Sequence, residues 1–301
     1  MDIFLQQIIN GLVLGSIYAL IALGYTMVYG ILSLINFAHG DVLMVGAMTA
    51  YAVVSGLHGV APGVPGPALL IAGLVAAIPV CVLVNVAIER IAYRPLRNAP
   101  RLAPLITAIG VSIILQTVAM IIFGRNYKVF PPMLPSDPIH IGGASITAAQ
   151  IMILIVAALM MLSLTLLVER TRLGRAMRAT AQSPRIASLM GVDANSVVVA
   201  TFALGAALAA VAGVMWVANY SIAHFYMGFI PGLKAFTAAV LGGIGNLYGA
   251  MIGGLVLGII ESLAAGYISS DYQDVFAFLV LIAVLTLRPS GIMGERVADR
   301  A

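Results

Sequence analysis

The sequence has very few charged residues and only one cysteine. Asp, Glu, Lys and Arg make up 9% of its 301 residues, whereas soluble domains carry roughly 25%. Hydrophobic residues make up 62%, and the mean hydropathy is +1.09, which is more apolar surface than a soluble fold can bury. We therefore predict a protein of the lipid bilayer. Because Cys81 is alone and lies in an apolar run, a disulfide framework and a cysteine zinc site are excluded.

The motifs that mark common enzymes are also absent. There is no G-x-x-x-x-G-K-[ST], and the two lysines, Lys128 and Lys234, lie in no glycine-rich phosphate loop. H-E-x-x-H, C-x-x-C and G-x-S-x-G do not occur, nor does a ladder of Asp, Glu and His along one helix. We therefore expect a chain that is not an enzyme, binds no metal or cofactor, and does not hydrolyse ATP itself.

Most of the positive charges lie in three parts of the chain. Twelve of the fifteen Lys and Arg residues lie within 90–101, 170–185 and 288–300. This pattern is typical of cytoplasmic loops of membrane proteins and not of a nucleic-acid surface, so all three segments are predicted to face the cytoplasm. The first 89 residues contain no Lys or Arg, so the opening apolar run lacks the basic start of a signal peptide and is expected to be a retained span.

Eight apolar stretches are long enough to cross a bilayer, for which about 20 helical residues are needed. They are 4–29, 42–57, 69–88, 103–123, 150–168, 197–217, 249–268 and 272–287. The arginine clusters place loop 124–149 outside and require an even number of crossings between 185 and 288. Since only three full spans lie there, 233–245 is predicted to be a fourth, short crossing of about 20 Å at 1.5 Å per residue.

Two breaks interrupt the apolar runs. The first is 35–41, with the sequence INFAHGD, and the second is the glycine-rich stretch 242–246. Two spans before residue 57 would leave the N-terminus outside, whereas an additional half-span would place it inside, and we favour the half-span. The predicted fold class is an all-α polytopic membrane protein, with eight to ten transmembrane or half-membrane helices in a single domain, 1–301.

A few ionisable and polar residues lie at membrane depth, where they are costly and by default suggest function. Asn36, His39 and Asp41 occupy the first break, where they either satisfy freed backbone groups or contact a solute directly. Three interpretations stay open for Glu261: it lines a pathway, it forms a salt bridge, or it lies near the outer interface. Lys234 stands at the start of a span and is expected to snorkel to the interface.

Other polar and aromatic residues have simpler interpretations. Asn85 and Gln116 are expected to form hydrogen bonds between helices. Four aromatic residues after the span 197–217 are typical of an interfacial belt on the outer face, with a gate for an apolar side chain as the alternative. These are Tyr220, Phe225, Tyr226 and Phe229.

The cytoplasmic loop 169–195 is the most distinctive polar segment. Ser183 followed by Pro184 is a helix-start signal, and Gly191 stands where a short helix would end. The helix between them carries three apolar residues at spacing i, i+3 and i+4, which are Ile186, Leu189 and Met190. A short, capped, partly apolar helix on a charged face predicts a docking surface for another subunit.

Three segments carry a resemblance to a known family: INFAHGDVLMVGA (35–47), ATAQSPRIASLMGVD (179–193) and GLKAFTAAVLGGIGNLYGAMIGGLVLGIIE (232–261). They resemble the permeases of branched-chain amino-acid ABC importers, above all the shorter, H-type permease of the Liv system. The resemblance implies a multi-pass protein of the bacterial inner membrane that transports leucine, isoleucine or valine by alternating access. The implied partners are an M-type permease, two ATPase subunits that use ATP and Mg, and a periplasmic amino-acid-binding protein.

The resemblance also implies which residues act. The family's coupling segment, which meets the ATPase, maps onto Ser183, Pro184, Arg185, Ala187, Gly191 and Val192, and the three apolar residues of the short helix lie within it. A zwitterion in the membrane needs polar or backbone partners, which broken helices supply. We therefore predict a substrate pathway at the two breaks and the intramembrane carboxylate, formed by Asn36, His39, Gly40, Asp41, Gly242, Gly243, Gly245, Asn246 and Glu261.

Other functions stay open at this point. A permease for urea or short amides shares the architecture and the motifs, and the ligand of the accompanying binding protein separates the two. A secondary transporter or channel would work without an ATPase, and it leaves the capped cytoplasmic helix unexplained. An assembly protein without a pore would not need two broken membrane segments.

Overall fold

A computed structural model of the protein describes residues 2–61, 63–97, 99–100, 102–135, 137–141, 143–288 and 290–294. Its α-helices, in chain order, are α1 Asp2–Leu32, α2 His39–Val60, α3 Gly66–Ile88, α4 Leu102–Phe123, α5 Ala148–Arg170, α6 Arg172–Gln182, α7 Pro184–Leu189, α8 Ala194–Tyr220, α9 Phe229–Gly242, α10 Leu247–Tyr267 and α11 Gln273–Leu287. A π-helical turn, Glu89–Tyr93, follows α3. Arg101 and the predicted cytoplasmic cluster beyond residue 294 lie outside the described residues.

Eight helices in the described part of the chain are long and apolar enough to cross a membrane, and they correspond to the eight predicted spans. The all-α polytopic fold class is thus confirmed. The ninth apolar helix, α9, has 14 residues and rises about 21 Å. This is less than the roughly 30 Å of a bilayer core. Helix α9 therefore matches the predicted short segment 233–245 in place and length, and its crossing stays a prediction.

Two short strand pairs lie on the outer side. Strand β1 (Lys128–Val129) belongs to the loop between α4 and α5, and it pairs antiparallel with β4 (Ile222–Ala223), which follows α8. Strands β2 (Ile139–Ile141) and β3 (Ala144–Ile146) form a hairpin in the same loop. The β1–β4 pair requires the end of α8 and the α4–α5 loop to share one side of the membrane, as the arginine clusters predict.

The start of α1 lies on this outer side. The Gln6 side chain donates from Nε2 to the Ser145 carbonyl at 3.0 Å, and the Ser145 N–H donates to Gln6 Oε1 at 2.8 Å. Ser145 belongs to β3 in the outer loop. The expectation of an extra half-span, with the N-terminus inside, is therefore wrong. The reason is that α1 runs unbroken for 31 residues, about 46 Å, and crosses once.

Glycines bring α1 and α10 into backbone contact. A Cβ built on Gly258 would lie 2.3 Å from the Gly15 nitrogen, and one on Gly254 would lie 2.5 Å from the Ala19 nitrogen and Cα. Small residues permit such approach between membrane helices, where packing and not the hydrophobic effect drives association. At these positions the glycines therefore allow the close packing of α1 against α10.

The spans differ sharply in burial. The most apolar windows of α1 and α8 are 72% buried, whereas the window that includes α11 is only 6% buried. The outward faces of α4, α5 and α11 carry large exposed apolar side chains, for example Ile121, Leu159 and Leu279. Helices α1 and α8 therefore form the centre of the fold, and α4, α5 and α11 present apolar faces to lipid or to another subunit.

Candidate functional site

The first break separates α1 from α2. Ser33 ends α1 with a left-handed φ of 53°, and its N–H donates to the Tyr29 carbonyl at 2.7 Å. α2 starts at His39, and its N-cap residue, Ala38, supplies no side-chain acceptor. Helix N-termini leave backbone donors unsatisfied unless a cap or ligand meets them. The start of α2 therefore resembles the discontinuous helices that face solutes in transporters.

The three polar residues predicted at this break are all buried there. The Tyr93 hydroxyl donates to Asn36 Oδ1 at 2.8 Å, and Gln116 Nε2 donates to Asp41 Oδ1 at 3.0 Å. Within the described residues, Asn36 Nδ2, both His39 ring nitrogens and Asp41 Oδ2 have no hydrogen-bond partner. A buried polar group left unsatisfied costs about 1–3 kcal/mol. The structure thus brings four unpaired polar atoms to one break.

Close packing holds the first break against its neighbours. The His39 ring meets the edge of Tyr25, with ring centroids 5.0 Å apart, and a Cβ on Gly24 would lie 2.2 Å from its Nε2. Gly40 packs against the turn before α9, where a Cβ would lie 2.6 Å from the Gly228 carbonyl oxygen. His39 and Gly40 therefore have a packing role, and their place in a substrate pathway stays a prediction.

The second break, 242–246, lies at the cytoplasmic end of the α9–α10 hairpin. Gly243 and Gly245 have φ values of 107° and 96°, which L side chains rarely adopt. Asn246 caps α10 by accepting from the Gly249 N–H at 3.0 Å, and its Nδ2 donates to the Met293 carbonyl at 2.9 Å. Asn246 thus stabilises the turn, and its predicted contact with a solute stays a prediction.

The second break also touches the cytoplasmic helices. Gly245 and Leu247 line a cavity of ≈ 90 Å³ together with Met177 and Arg178 of α6. The Arg178 guanidinium donates to the Val168 carbonyl at the end of α5. The break therefore lies beside the helix that leads directly into α7.

Glu261 and Lys234 form a buried ion pair, with 2.5 Å between Nζ and Oε1. Their side chains are 2% and 4% exposed, so the expectation that Lys234 snorkels to the interface is wrong. The physical reason is that Lys234 Nζ also lies 2.5 Å from Asp274 Oδ1, and Glu261 Oε2 accepts from the Tyr18 hydroxyl at 3.0 Å. Four helices, α1, α9, α10 and α11, meet at this cluster.

A cavity of ≈ 360 Å³ lies directly beside the ion pair. Its wall includes the carboxylates of Glu261 and Asp274, the Lys234 side chain, and aromatic residues at the outer end of α8 and in the turn before α9. Tyr220 and Tyr226, predicted to form an interfacial belt, are among these aromatic residues. Small-molecule sites commonly occupy about 300–1,000 Å³ and combine an apolar wall with a few polar groups.

The cytoplasmic helix α7 is capped as predicted. Ser183 Oγ accepts from the Ile186 N–H at 3.3 Å, Pro184 occupies the first helical position, and Gly191 follows the helix with a φ of 84°. Ile186, Leu189 and Met190 are 63%, 80% and 80% exposed. The exposed apolar face predicted for this helix is therefore present, and its role in docking stays a prediction.

One member of the predicted coupling segment points the other way. Ala187 is only 3% exposed, because its face of α7 packs inward. Arg185 is exposed and Val192 is half-buried. The Val192 N–H donates to the Ala187 carbonyl at 3.0 Å and so closes the end of the helix. Ala187 is thus a packing residue, and the surface that a partner can reach consists of the exposed apolar residues.

Caps also fix the chain on either side of α7. Thr171 caps α6 by accepting from the Gly174 N–H at 3.1 Å. Asp193 caps α8 by accepting from the Asn195 N–H at 3.0 Å, and the hydrogen bond from the Ser196 hydroxyl holds the pKa of the Asp193 carboxyl below its usual value. The negatively charged cap suits the positive end of the helix dipole. Helix α7 therefore lies between two helices, α6 and α8, whose N-termini are both capped by a side chain.

No group of His, Cys, Asp and Glu suited to a metal ion occurs among the described residues. The residues that sequence reasoning missed are Asp274 and Tyr18, which complete the Lys234–Glu261 cluster. They lie 40 and 216 residues from Lys234 along the chain, so no local spacing reveals them. The one sequence signal for this cluster is that Lys234 and Glu261, which have opposite charges, lie in neighbouring apolar segments.

Known proteins resemble this chain over nearly its whole length. The branched-chain amino acid transport permease BraD of Pseudomonas aeruginosa is 46% identical over 301 residues, covering 97% of this chain and 96% of BraD. The corresponding permease LivH of Escherichia coli is 48% identical over 298 residues, with the same coverage. A probable LivH of Methanocaldococcus jannaschii is 27% identical over 317 residues, covering 97% of this chain and 94% of that protein. No solved structure matches.

The family comparison agrees with these relatives. The family described as "Branched-chain amino acid transport system / permease component" matches residues 7–285. The matched region includes both breaks, the buried ion pair and the short helix α7. The chain belongs to this family of branched-chain amino acid transport permeases.

Proposed function

We propose that this chain forms one half of the membrane pore of an ATP-driven importer that moves leucine, isoleucine and valine into the cytoplasm. Its relatives are named as permeases of high-affinity branched-chain amino acid transport systems. As a permease of this family built on eight apolar helices, the chain is a transport subunit and not an enzyme, and it is a multi-pass protein of the inner (cytoplasmic) membrane. It works with ATPase, permease and binding-protein components.

The finer assembly is part of the proposal. The pore pairs this chain with a related M-type permease, two ATPase subunits use ATP and Mg on the cytoplasmic side, and a binding protein delivers the amino acid outside. This chain itself holds no cofactor. The observation that carries the proposal is the exposed apolar face of α7, where Leu189 and Met190 are each 80% exposed on the cytoplasmic side. Large exposed apolar side chains on a capped helix suit a partner's groove.

The proposed route by which ATP energy reaches the membrane is supported by the contacts around α7. Closure of the ATPases displaces the docked α7, which Ser183 alone separates from α6. Helix α6 lines the small cavity that includes Gly245 of the second break. Movement there shifts α9 and α10, which carry the Lys234–Glu261 pair. The proposed mechanism is therefore alternating access, in which α7 connects ATP hydrolysis to the two breaks.

The proposed pathway elements are the two breaks and Glu261. The unpaired Asp41 Oδ2 and Asn36 Nδ2 supply polar partners at the first break. We expect Asn36→Ala and Asp41→Ala to lower leucine uptake while expression stays normal. Uptake at the wild-type rate in both variants would remove the first break from the pathway.

The function is tested by uptake into proteoliposomes that contain the complete complex with its binding protein. We expect uptake of radiolabelled leucine that requires ATP and is inhibited by isoleucine and valine but not by urea. Uptake of urea in place of leucine would support a permease for urea or short amides and refute the proposal. Leucine uptake driven by an ion gradient without ATP would support a secondary transporter and refute the proposal.

A further inference from the structure

We propose that the outer cavity beside Lys234, Glu261 and Asp274 binds the zwitterionic head of the amino acid before it passes the first break. The inference rests on the proposed function and adds a site to it. The cavity holds about 360 Å³ of space and lies at the outer ends of α8, α10 and α11. This is the side on which a binding protein would release its ligand.

The first argument is the incomplete coordination of Lys234. An ammonium group has three N–H donors. Nζ donates to Glu261 Oε1 at 2.5 Å and lies 2.5 Å from Asp274 Oδ1 in an ion pair, and it lies 5.9 Å from the centroid of the Tyr18 ring. The Lys234 side chain lines the cavity. Among the described residues, Nζ has no third oxygen partner, and we infer that a ligand supplies it. A carboxylate that enters the cavity would complete the coordination with a charge-assisted hydrogen bond.

The second argument is the excess of negative charge. Glu261 and Asp274 together outnumber the single positive charge of Lys234, so the cluster carries a net charge of −1 when all three groups are ionised. Both Glu261 oxygens are engaged, one by Lys234 and one by the Tyr18 hydroxyl. Asp274 is 46% exposed, so it is the carboxylate that an incoming ammonium group can reach. A free amino acid can therefore place its carboxylate against Lys234 and its ammonium group against Asp274.

The third argument is the apolar wall. Trp216, Met227 and Ile230 line the same cavity as the charged residues. Aromatic and Met side chains bury aliphatic groups well and adapt to small differences in shape. A branched aliphatic side chain fits against this wall while the zwitterionic head contacts Lys234 and Asp274. Urea and short amides have neither a full charge of each sign nor an aliphatic branch.

A purely structural role explains the cluster poorly. Ionisable residues within membrane spans are costly and are retained mainly on solute pathways. A buried ion pair is often no more stabilising than apolar residues of similar volume. The location of Lys234 and Glu261 beside an open cavity, and not within a closed core, is the feature that points to a ligand.

The test uses the only tryptophan of the chain, Trp216, as a reporter in the assembled complex. The signal is the difference in emission between the wild-type complex and a Trp216→Phe complex, titrated with L-leucine. We expect a saturable change. In Asp274→Asn the dissociation constant for leucine should rise about tenfold or more, the usual effect of losing one charge-assisted hydrogen bond. Asp271→Asn is the matched control, because Asp271 is an exposed carboxylate one turn earlier and away from the cavity.

The proposal is overturned if no saturable change occurs up to the solubility of leucine, or if Asp274→Asn binds leucine as the wild type does. A second variant, Lys234→Met with Glu261→Gln, removes both buried charges together, so neither is left unpaired. It should assemble and lose leucine binding, and retained binding would also overturn the proposal. If the wild-type complex imports no leucine, the proposed function fails. If it imports leucine and Asp274→Asn binds normally, only this site fails.

Discussion

The Tyr93 hydroxyl donates a 2.8 Å hydrogen bond to Asn36 Oδ1, and this contact ties the first break to the end of α3. Tyr93 closes the π-helical turn that follows α3, and its ring packs against Phe202 of α8 with centroids 5.7 Å apart. Asn85, eight residues before Tyr93, donates to the Phe202 carbonyl at 2.7 Å. The break is therefore held by a polar frame that joins α3 to the central helix α8.

Tyr93→Phe tests this frame. The substitution leaves Asn36 Oδ1 without its donor in a buried site, where Asn36 Nδ2 is already unpaired, so the fold should lose about 1–3 kcal/mol of stability. The measurement is the thermal unfolding midpoint of the purified complex, together with leucine uptake. Tyr51→Phe in α2 is the matched control, because no hydrogen bond joins the Tyr51 hydroxyl to the described residues. Equal unfolding midpoints for the two variants would show that the frame is not stabilising.

Gly254→Ala tests the contact between α1 and α10. Its Cβ would lie 2.5 Å from the Ala19 backbone, so the two helices must separate, at a cost of about 1–3 kcal/mol. The same substitution at Gly110 of α4 meets no atom within 4 Å and should leave stability unchanged or higher. The complex should therefore unfold at lower temperature with Gly254→Ala and not with Gly110→Ala. The opposite order would mean that α1 and α10 do not pack as described.

Ser183→Ala tests the cap of α7. It removes the acceptor for the Ile186 N–H, and loss of such a cap costs about 1 kcal/mol. Since a six-residue helix has little stability of its own, α7 should fray and ATP-driven uptake should fall. Ser183→Asp keeps an acceptor and should restore uptake. Equal uptake by the two variants would show that the cap does not matter for transport.

Leu189→Asp tests the docking surface. Leu189 is 80% exposed, so a carboxylate there leaves the fold of this chain intact but places a charge where an apolar groove must close. The ATPase subunits should no longer copurify with the permease. Ile268→Asp is the matched control, because Ile268 is also exposed, at 67%, but lies on the outer side after α10. Retention of the ATPase by Leu189→Asp would place the docking surface elsewhere.

Hydropathy and charge predicted most of the fold. The eight spans follow from the length of the apolar stretches, and the short α9 follows from the even number of crossings that the arginine clusters require. Both features depend on residues that are close together in the sequence. The capped α7 is equally local, since Ser183, Pro184 and Gly191 lie within nine residues. Interhelical hydrogen bonds predicted for Asn85 and Gln116 are also confirmed.

Long-range pairing and side-chain direction could not be predicted in the same way. The sequence alone predicts an interfacial Lys234, because its partner Asp274 and the Tyr18 donor to Glu261 lie on helices distant in the chain. The inward direction of Ala187 depends on how α7 packs against the neighbouring helices, and the outer position of the start of α1 is shown by the Gln6–Ser145 contact. Each of these is decided by tertiary packing.

The most direct test of the central claim, that ATP energy reaches this permease through α7, is a reversible crosslink. Leu189→Cys is combined with a cysteine in the groove of the ATPase, and leucine uptake is measured before and after reduction. The single native cysteine, Cys81, is buried and does not interfere. We expect the disulfide to form, uptake to stop, and reduction to restore it, whereas Ala187→Cys, which points inward, should not crosslink. Full uptake with Leu189 crosslinked, or a crosslink at Ala187 in place of Leu189, would contradict the account.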